Sequence, residues 1–520
     1  MSEAIAAPGE ATATTWLGFI LMCLGMFMAI LDIQVVATSL PAIQQALEIS
    51  LDAMSWIQTA YLIAEIIAIP LTGWLTRVLT LRWLFVGSIS LFTLASIGCA
   101  FSGDFTTLVC FRVLQGFAGG TLIPAVFSAV FLLFPLPQHP IATTMAGIMA
   151  VLAPTIGPVV GGWITETWSW HWLFLINVAP GLVAAAATPF LLPEEKPDLA
   201  ELAMLDRFSL TLMAISLSSL EIGLKQAPQD GWLSPLCFGL FVVSAATATL
   251  FTLRTLGARH PVVELTTLRA RSFAIGCALS FCLGVGLFGS VYLMPVFLAY
   301  VRHHDAFEIG TVMLVTGVSQ LVTAPIAGAM ESRFDPRYLS AAGFALFALG
   351  LGCSAFQSRV ADFNEMFWPQ VLRGIAIMFC LLPPTRLALG TLTAVQVPDA
   401  SGLFNLMRNL GGAIGIALID TILYGRTGGH AEALRDRLIA GDITAAQAIG
   451  LDLKLFLHRP PGVSDATVEA YVRPMVEKAA FAISINEAWT LLAIVALAGL
   501  LLVPFAGKPP QILATAPGQS

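Results

Sequence analysis

The sequence predicts an all-α integral membrane protein of fourteen spanning helices, built as two six-helix halves with an extra helix pair between them. Three observations carry this. Of 520 residues, 57% are hydrophobic and only 11% charged, against roughly a quarter charged in an ordinary soluble domain. Apolar runs of spanning length recur at about 16–40, 55–76, 83–101, 106–134, 143–164, 170–192, 208–227, 234–253, 273–300, 309–330, 338–357, 366–392, 403–424 and 486–506. Alternating ten-residue strands are absent, which leaves helices as the only way to satisfy the backbone in lipid. The third observation is a repeat at an offset near 255 residues. Pro70-x-x-Gly73 followed by Arg82-Trp83-Leu84 returns as Pro325-x-x-Gly328 followed by Arg337-Tyr338-Leu339. Val113-Leu114-Gln115-Gly116 returns as Val371-Leu372-Arg373-Gly374, and Leu40-Pro41 as Met294-Pro295. Two six-helix halves related in this way are an architecture of secondary transporters.

Taken along the chain, residues 1–15 form a short tail with acids and no Lys or Arg. The apolar run after it is too long for a signal-peptide core, so the first span stays in the mature protein. Residues 16–192 make the first half. Charged linkers at 193–207 and 254–272 bracket the extra pair, and residues 193–272 form a central unit. Residues 273–506 make the second half, in which 425–485 form a long loop before the last span, and 507–520 form a second tail. Orientation follows from basic residues in short loops. With the N-terminus inside, inner loops carry Arg77, Arg82, Lys196, Arg207, Arg254, Arg259, Arg269, Arg271, Arg333 and Arg337, whereas outer ones carry Lys225, Arg302 and Arg359. Both termini are therefore expected in the cytoplasm and 425–485 outside.

Several functions are disfavoured. No basic tract points to nucleic acid. All eight cysteines lie in apolar runs without metal-ligand spacing, so neither a metal nor a disulfide framework is expected. No phosphate loop or nucleophile–base arrangement occurs, which argues against direct use of ATP and against an enzyme, and no cofactor is implied.

Within the spans, a few residues break the apolar pattern. Asp32 and Glu65 are carboxylates well inside runs of the first half, where an ionised acid costs roughly 2.5–3.5 kcal/mol or more. Such a group faces a cavity, pairs, or stays protonated; it titrates during transport or is locked in a helix-to-helix hydrogen bond. Arg112 and Gln115 are three apart and share a helix face. Arg112 cannot shed its charge and needs a partner, either Asp32 or backbone carbonyls of the first helix. Of the second-half arginines, Arg373 and Arg386 read as structural, and Arg408 stands with Asn405. The run Ala153 to Gly162 reads APTIGPVVGG, with Pro154, Gly157, Pro158, Gly161 and Gly162 crowded into one helix. Ala153, Gly157 and Gly161 fall four apart and form a stripe for close helix packing. Gly411, Gly412 and Gly415 make span thirteen its counterpart, consistent with rocking at the interface between halves.

The APTIGPVVGG run resembles the G-x-x-x-G-P-x-x-G-G signature of antiporters in the major facilitator superfamily. Leu31-Asp32-x-x-Val35-Val36 through Leu40-Pro41, Arg112-x-x-Gln115-Gly116, Asp230-Gly231-Trp232, His260-Pro261 and Asn405-x-x-Arg408-x-Leu410-Gly411 resemble blocks of its fourteen-span drug:proton antiporters of the EmrB/QacA type. The block order and the long loop before the last span match the EmrB-type members in layout. The resemblance implies the major facilitator fold and a proton-driven antiporter that exports lipophilic drugs or toxic compounds across the bacterial inner membrane. Its motifs point to Asp32 and Arg112 for proton coupling, and Glu65 joins them as the other carboxylate well inside a span. It also implies a periplasmic adaptor, an EmrA-like membrane fusion protein docking on the 425–485 loop and leading to an outer-membrane channel; a self-packed cap is the other reading of that loop. One block departs from the family. The cytoplasmic G-x-L-x-D-R-x-G-R-K pattern appears from Gly73 to Arg82 as GWLTRVLTLR, with Arg77 in place of the acid and Thr80 in place of Gly. Export of a specific metabolite, proton-coupled import, and a non-transporting sensor or scaffold remain the competing readings.

Overall fold

The computed structural model describes residues 11–198, 200–258, 261–331, 333–457 and 466–507. Arg259, His260 of the His260-Pro261 block and both terminal tails beyond these bounds lie outside the described residues. Among the described residues every regular element is helical: α1 (Ala13–Leu47), α2 (Leu51–Ala100), α3 (Phe105–Leu133), α4 (His139–Thr167), α5 (Trp172–Leu175), α6 (Val178–Leu191), α7 (Ala200–Ala203), α8 (Arg207–Asp230), α9 (Pro235–Gly257), α10 (Arg271–Phe297), α11 (Ala306–Glu331), α12 (Pro336–Cys353), α13 (Phe363–Leu389), α14 (Val397–Ile439), α15 (Ile443–Ile449), α16 (Leu453–Leu457) and α17 (Ala466–Leu502). Short polar caps start many of them; the side chains of Thr12, Ser50, Asp104, Ser234 and Asp362 accept from first-turn amides.

Thirteen of the described helices are long and apolar enough to cross a bilayer; fourteen runs are visible in the sequence. The difference lies in α2, whose 50 residues contain non-helical backbone at Thr80, φ 70° and ψ 161°. Contacts along α3 show what happens there. Gly116 lies against Tyr61 and Gly120 against Glu65, so residues 51–79 run with α3. The Gln115 side chain donates to Ser96 Oγ at 2.8 Å, and Thr121 meets Ser88 at 2.6 Å, so residues 81–100 run against it. The two segments are antiparallel spans joined by a reversal at Thr80.

The first half packs α1, α3, α4 and α6 around Phe85, Phe92, Phe127 and Met26, all buried. The second half packs α10, α12, α13 and α17 around Phe344, Phe347, Leu492 and the fully buried Trp489. Large apolar side chains also point outward, including Leu94, Phe190, Leu233 and Phe356. Such surfaces suit lipid rather than water, and the chain is a multi-pass membrane protein.

The glycine stripes correct one expectation. Gly157 meets the Gln34 side chain and Gly161 meets Val35 and Thr38, so the α4 stripe packs on α1 of its own half. Gly411 and Gly415 of α14 pack likewise on Phe281 and Val285 of α10. The glycines of the two stripes sit at the repeat offset and pack on the equivalent helices α1 and α10, so they hold each half together rather than forming the surface between halves. The opposite face of α4 meets the second half. Thr144, Thr155 and Val159 lie against Gly328, Gly317 and Gly310 of α11. Across the pseudo-symmetric contact, Gly73 of α2 lies against Asp399, and Gly402 of α14 against Ile69 and Pro70. The Pro-x-x-Gly repeat thus places Gly73 and Gly328 at equivalent points between the halves.

Candidate functional site

The centre of the first half holds a polar cluster with no access to solvent. Asp32, midway along α1, and Arg112 and Gln115 on α3 are all fully buried. Arg112 Nη1 donates to Asp32 Oδ2 at 2.5 Å and to Gln115 Oε1 at 2.7 Å. Gln115 Nε2 donates to Asp32 Oδ1 at 2.9 Å, and Asn177 Nδ2 donates to the same oxygen at 2.9 Å. Arg112 Nε donates to the Ile57 carbonyl at 3.2 Å, so its backbone partner comes from α2 rather than from the first helix. The guanidinium lies 4.3 Å from the Tyr61 ring centroid, whose hydroxyl donates to the Ala29 carbonyl. Gly116 makes this approach possible, since a Cβ there would overlap the Tyr61 carbonyl. The ionic pair joins α1, α2, α3 and the α5–α6 break in one network in which Asp32 uses both oxygens. Among the described residues, Arg112 Nη2 alone of the cluster's buried side-chain atoms lacks a partner.

Such a pair is stable only while both charges persist. Removing one charge from a buried pair leaves the other uncompensated, at about 3–5 kcal/mol. Protonating Asp32 would leave Arg112 uncompensated in the same way. Asn177 has no motif to reveal it; the only clue is a polar residue where the chain breaks between α5 and α6.

Glu65, one turn beyond Tyr61 on α2, is buried and stands within electrostatic reach of Glu221, Arg112, Arg408 and Asp32. Glu221 comes from α8, so the extra helix pair reaches this region. Lys225, one turn on, donates to Ser55 Oγ at 2.9 Å and Thr59 Oγ1 at 2.7 Å. Arg408 Nη2 donates to Asn405 Oδ1 at 2.5 Å, and Asn405 donates to the Ser401 carbonyl at 2.9 Å. Arg408, from the other half, also lies 5.7 Å from the Phe127 ring centroid of α3.

At the end of the bundle carrying the Thr80 reversal, Arg77 pairs with the buried Asp399 at the start of α14 and donates to the Pro261 carbonyl. Gly73 makes room for Asp399. The charge signs are exchanged relative to the expected motif, because the acid is supplied by the other half. Arg82 lies over Trp83 at 5.4 Å and takes no part in this pair. Arg386 donates to the Glu331 carbonyl at the end of α11. Pro154 lines a cavity between the halves, Pro158 is buried, and Gly162 is half-buried.

A family model described as Major Facilitator Superfamily matches residues 22–416. The chain is 39% identical over 418 residues to the colistin resistance protein EmrB of Acinetobacter baumannii, covering 80% of this chain and 82% of that one. It is 29% identical over 493 residues to the multidrug export protein EmrB of Escherichia coli, covering 94% and 95%. It is 27% identical over 508 residues to the fatty acid resistance protein FarB of Neisseria gonorrhoeae, covering 97% and 98%. Among solved structures, the proton:xylose symporter XylE superposes with a TM-score of 0.59 at 12% identity, over 95% of this chain and 96% of that one. With its paired halves, its inter-half contacts and a family match across most of its length, the chain belongs to the major facilitator superfamily.

Proposed function

We propose that the protein is a proton-driven antiporter that exports lipophilic compounds across the inner membrane, with Asp32 as the proton-carrying group. The buried Asp32–Arg112–Gln115–Asn177 network is the observation that supports this most. A carboxylate held by three donors, two on α3 and one at the α5–α6 break, in the membrane interior is expensive to keep unless its charge is used. When Asp32 takes a proton, Arg112 loses its counter-ion, and α1, α3 and the α5–α6 break lose the contact that fixes their spacing. Glu65, within electrostatic reach of Arg408 of the other half, is the second acid of the mechanism. The Arg77–Asp399 pair closes the end we place in the cytoplasm, where basic loop residues are concentrated. The names of the relatives, for colistin resistance and multidrug export, support efflux over uptake.

The long loop supports a partner. Its two helix-favouring stretches continue the last helices: α14 runs 43 residues to Ile439 and α17 runs 37 residues from Ala466. At 1.5 Å per residue these reach about 64 and 55 Å, well beyond a hydrocarbon core of about 30 Å. Leu434, Ile449, Val476, Ala479 and Ala480 form a small core between them. A projecting hairpin of this kind suits a docking surface for a periplasmic adaptor leading to an outer-membrane channel better than it suits a flat cap. The test of export is everted membrane vesicles loaded with a pH-sensitive dye and screened with lipophilic compounds. Compound-driven proton movement that depends on the protein is expected; none with any compound would favour a sensor.

A further inference from the structure

We infer that Glu221, on the extra helix pair, is a proton-relay residue that takes a proton from the outer solution and passes it to Glu65. This rests on the proton-driven reading above and adds to it the route by which protons enter.

The seam between α2 and α8 places the two acids at neighbouring depths. At the end we place outside, Lys225 of α8 donates to Ser55 and Thr59 of α2 and lies 4.8 Å from the Trp56 ring centroid. About two turns further in, Leu217 shares an apolar cluster with Ile66. Residues four apart share a helix face, so Glu221 stands midway between Lys225 and Leu217, level with the stretch of α2 between Thr59 and Ile66. Glu65 belongs to that stretch, and the two carboxylates are within electrostatic reach of each other. Counted from Asp230, where α8 ends, Glu221 is about 13 Å deep at 1.5 Å per residue. Counted from Leu51, where α2 begins, Glu65 is about 21 Å deep. Glu221 is thus the shallower acid.

Unlike Asp32, neither of these acids is held. Glu65 is only 5% exposed, yet among the described residues neither carboxylate accepts a hydrogen bond or joins an ion pair. Acids left without donors at membrane depth mark a proton or ion path. The charges around them select the proton. Lys225, one turn from Glu221, is its counter-charge when ionised, and Arg112 and Arg408 stand around Glu65. These cations repel a metal ion or a cationic compound, whereas a proton is accepted because it neutralises the carboxylate it joins. The other helices packed on α8 add no competing base: α9 has no charged residue before Arg254, and Asp420 of α14 accepts from the Tyr292 hydroxyl at 2.7 Å. In the transfer, the O–H bond of the Glu221 carboxyl breaks as one forms on Glu65. Glu221 is left as a carboxylate beside Lys225, ready for the next proton from outside.

The test uses purified full-length protein in lipid nanodiscs and time-resolved infrared spectroscopy after a jump from alkaline to acidic pH. The carboxyl band lost in Glu65→Gln belongs to Glu65, and its rise in wild type is the reference. Glu221→Gln should slow that rise at least tenfold without changing its final size, and Glu221→Asp should slow it less. In Glu221→Ala, added formate should restore the rate by carrying the proton in place of the lost side chain, a recovery that a merely structural defect would not show. If the neutral variants do not fold, the slowing in Glu221→Asp decides the matter. A wild-type rate in Glu221→Gln, a slowed rise that formate leaves unchanged, or no rise of a Glu65 band in wild type would overturn the inference. Compound-driven proton movement in vesicles beside a wild-type rate in Glu221→Gln would remove the relay and leave export standing. A slowed, formate-restored rise with no proton movement for any compound would do the reverse.

Discussion

Asp32 draws its partners from residues 80, 83 and 145 positions away, yet part of that site is visible in the sequence. Charged and amide residues inside apolar runs are rare enough to mark Asp32, Glu65, Arg112 and Gln115. Asn177 and Asp399 are not marked, because each sits at a chain break or run edge where polar residues are unremarkable. Thr80 carries a different lesson. Its φ of 70° with extended ψ is a region that suits Gly, and its hydroxyl is buried without a partner; such strain amounts to about 1–3 kcal/mol. Thr80→Gly should therefore raise thermal stability in detergent by about 1 kcal/mol, read as a higher melting temperature. The Arg77–Asp399 pair makes a second prediction. Arg77→Asp should reduce export at least tenfold by placing two carboxylates together, and adding Asp399→Arg should recover much of it. Export by the double variant no better than by Arg77→Asp would mean that the pair does not hold the two halves.

At the scale of the element, α4 has two faces with separate work. The stripe of Gly157 and Gly161 was legible from its four-residue spacing, but spacing does not say which helix packs on it. The surface between halves escaped notice because Gly310, Gly317 and Gly328 of α11 follow no four-residue rule, and their partners are threonines and a valine. Overpacking typically costs about 1–3 kcal/mol, and its consequence should differ between the faces. Gly157→Leu should lower the melting temperature of the protein, since it forces α1 from α4 within one half. Gly317→Leu should leave stability near wild type and block transport, since it jams α11 against Thr155. Melting curves and vesicle transport on the two variants check this; equal destabilisation by both would place α11 within a rigid unit with α4.

For the whole molecule, the fourteen runs and the offset repeat fixed the architecture because each span must bury its own backbone and the halves share one ancestral pattern of contacts. The packed extensions of α14 and α17 were legible only as helix-favouring stretches; their continuity with the last spans was not, since a change from apolar to charged residues looks like a helix end. Replacing residues 431–480 with a short Gly/Ser linker should preserve proton-coupled transport in vesicles and abolish resistance in cells with an outer membrane. Retained resistance, with the adaptor still copurifying, would remove the docking role. The central claim is that the proton crosses through Asp32. Asn at this position keeps the volume and hydrogen-bonding capacity but cannot titrate, so proton movement should be measured per folded protein in everted vesicles. Asp32→Asn should insert and bind compound, yet show no compound-driven proton movement; proton movement at the wild-type level would contradict the account.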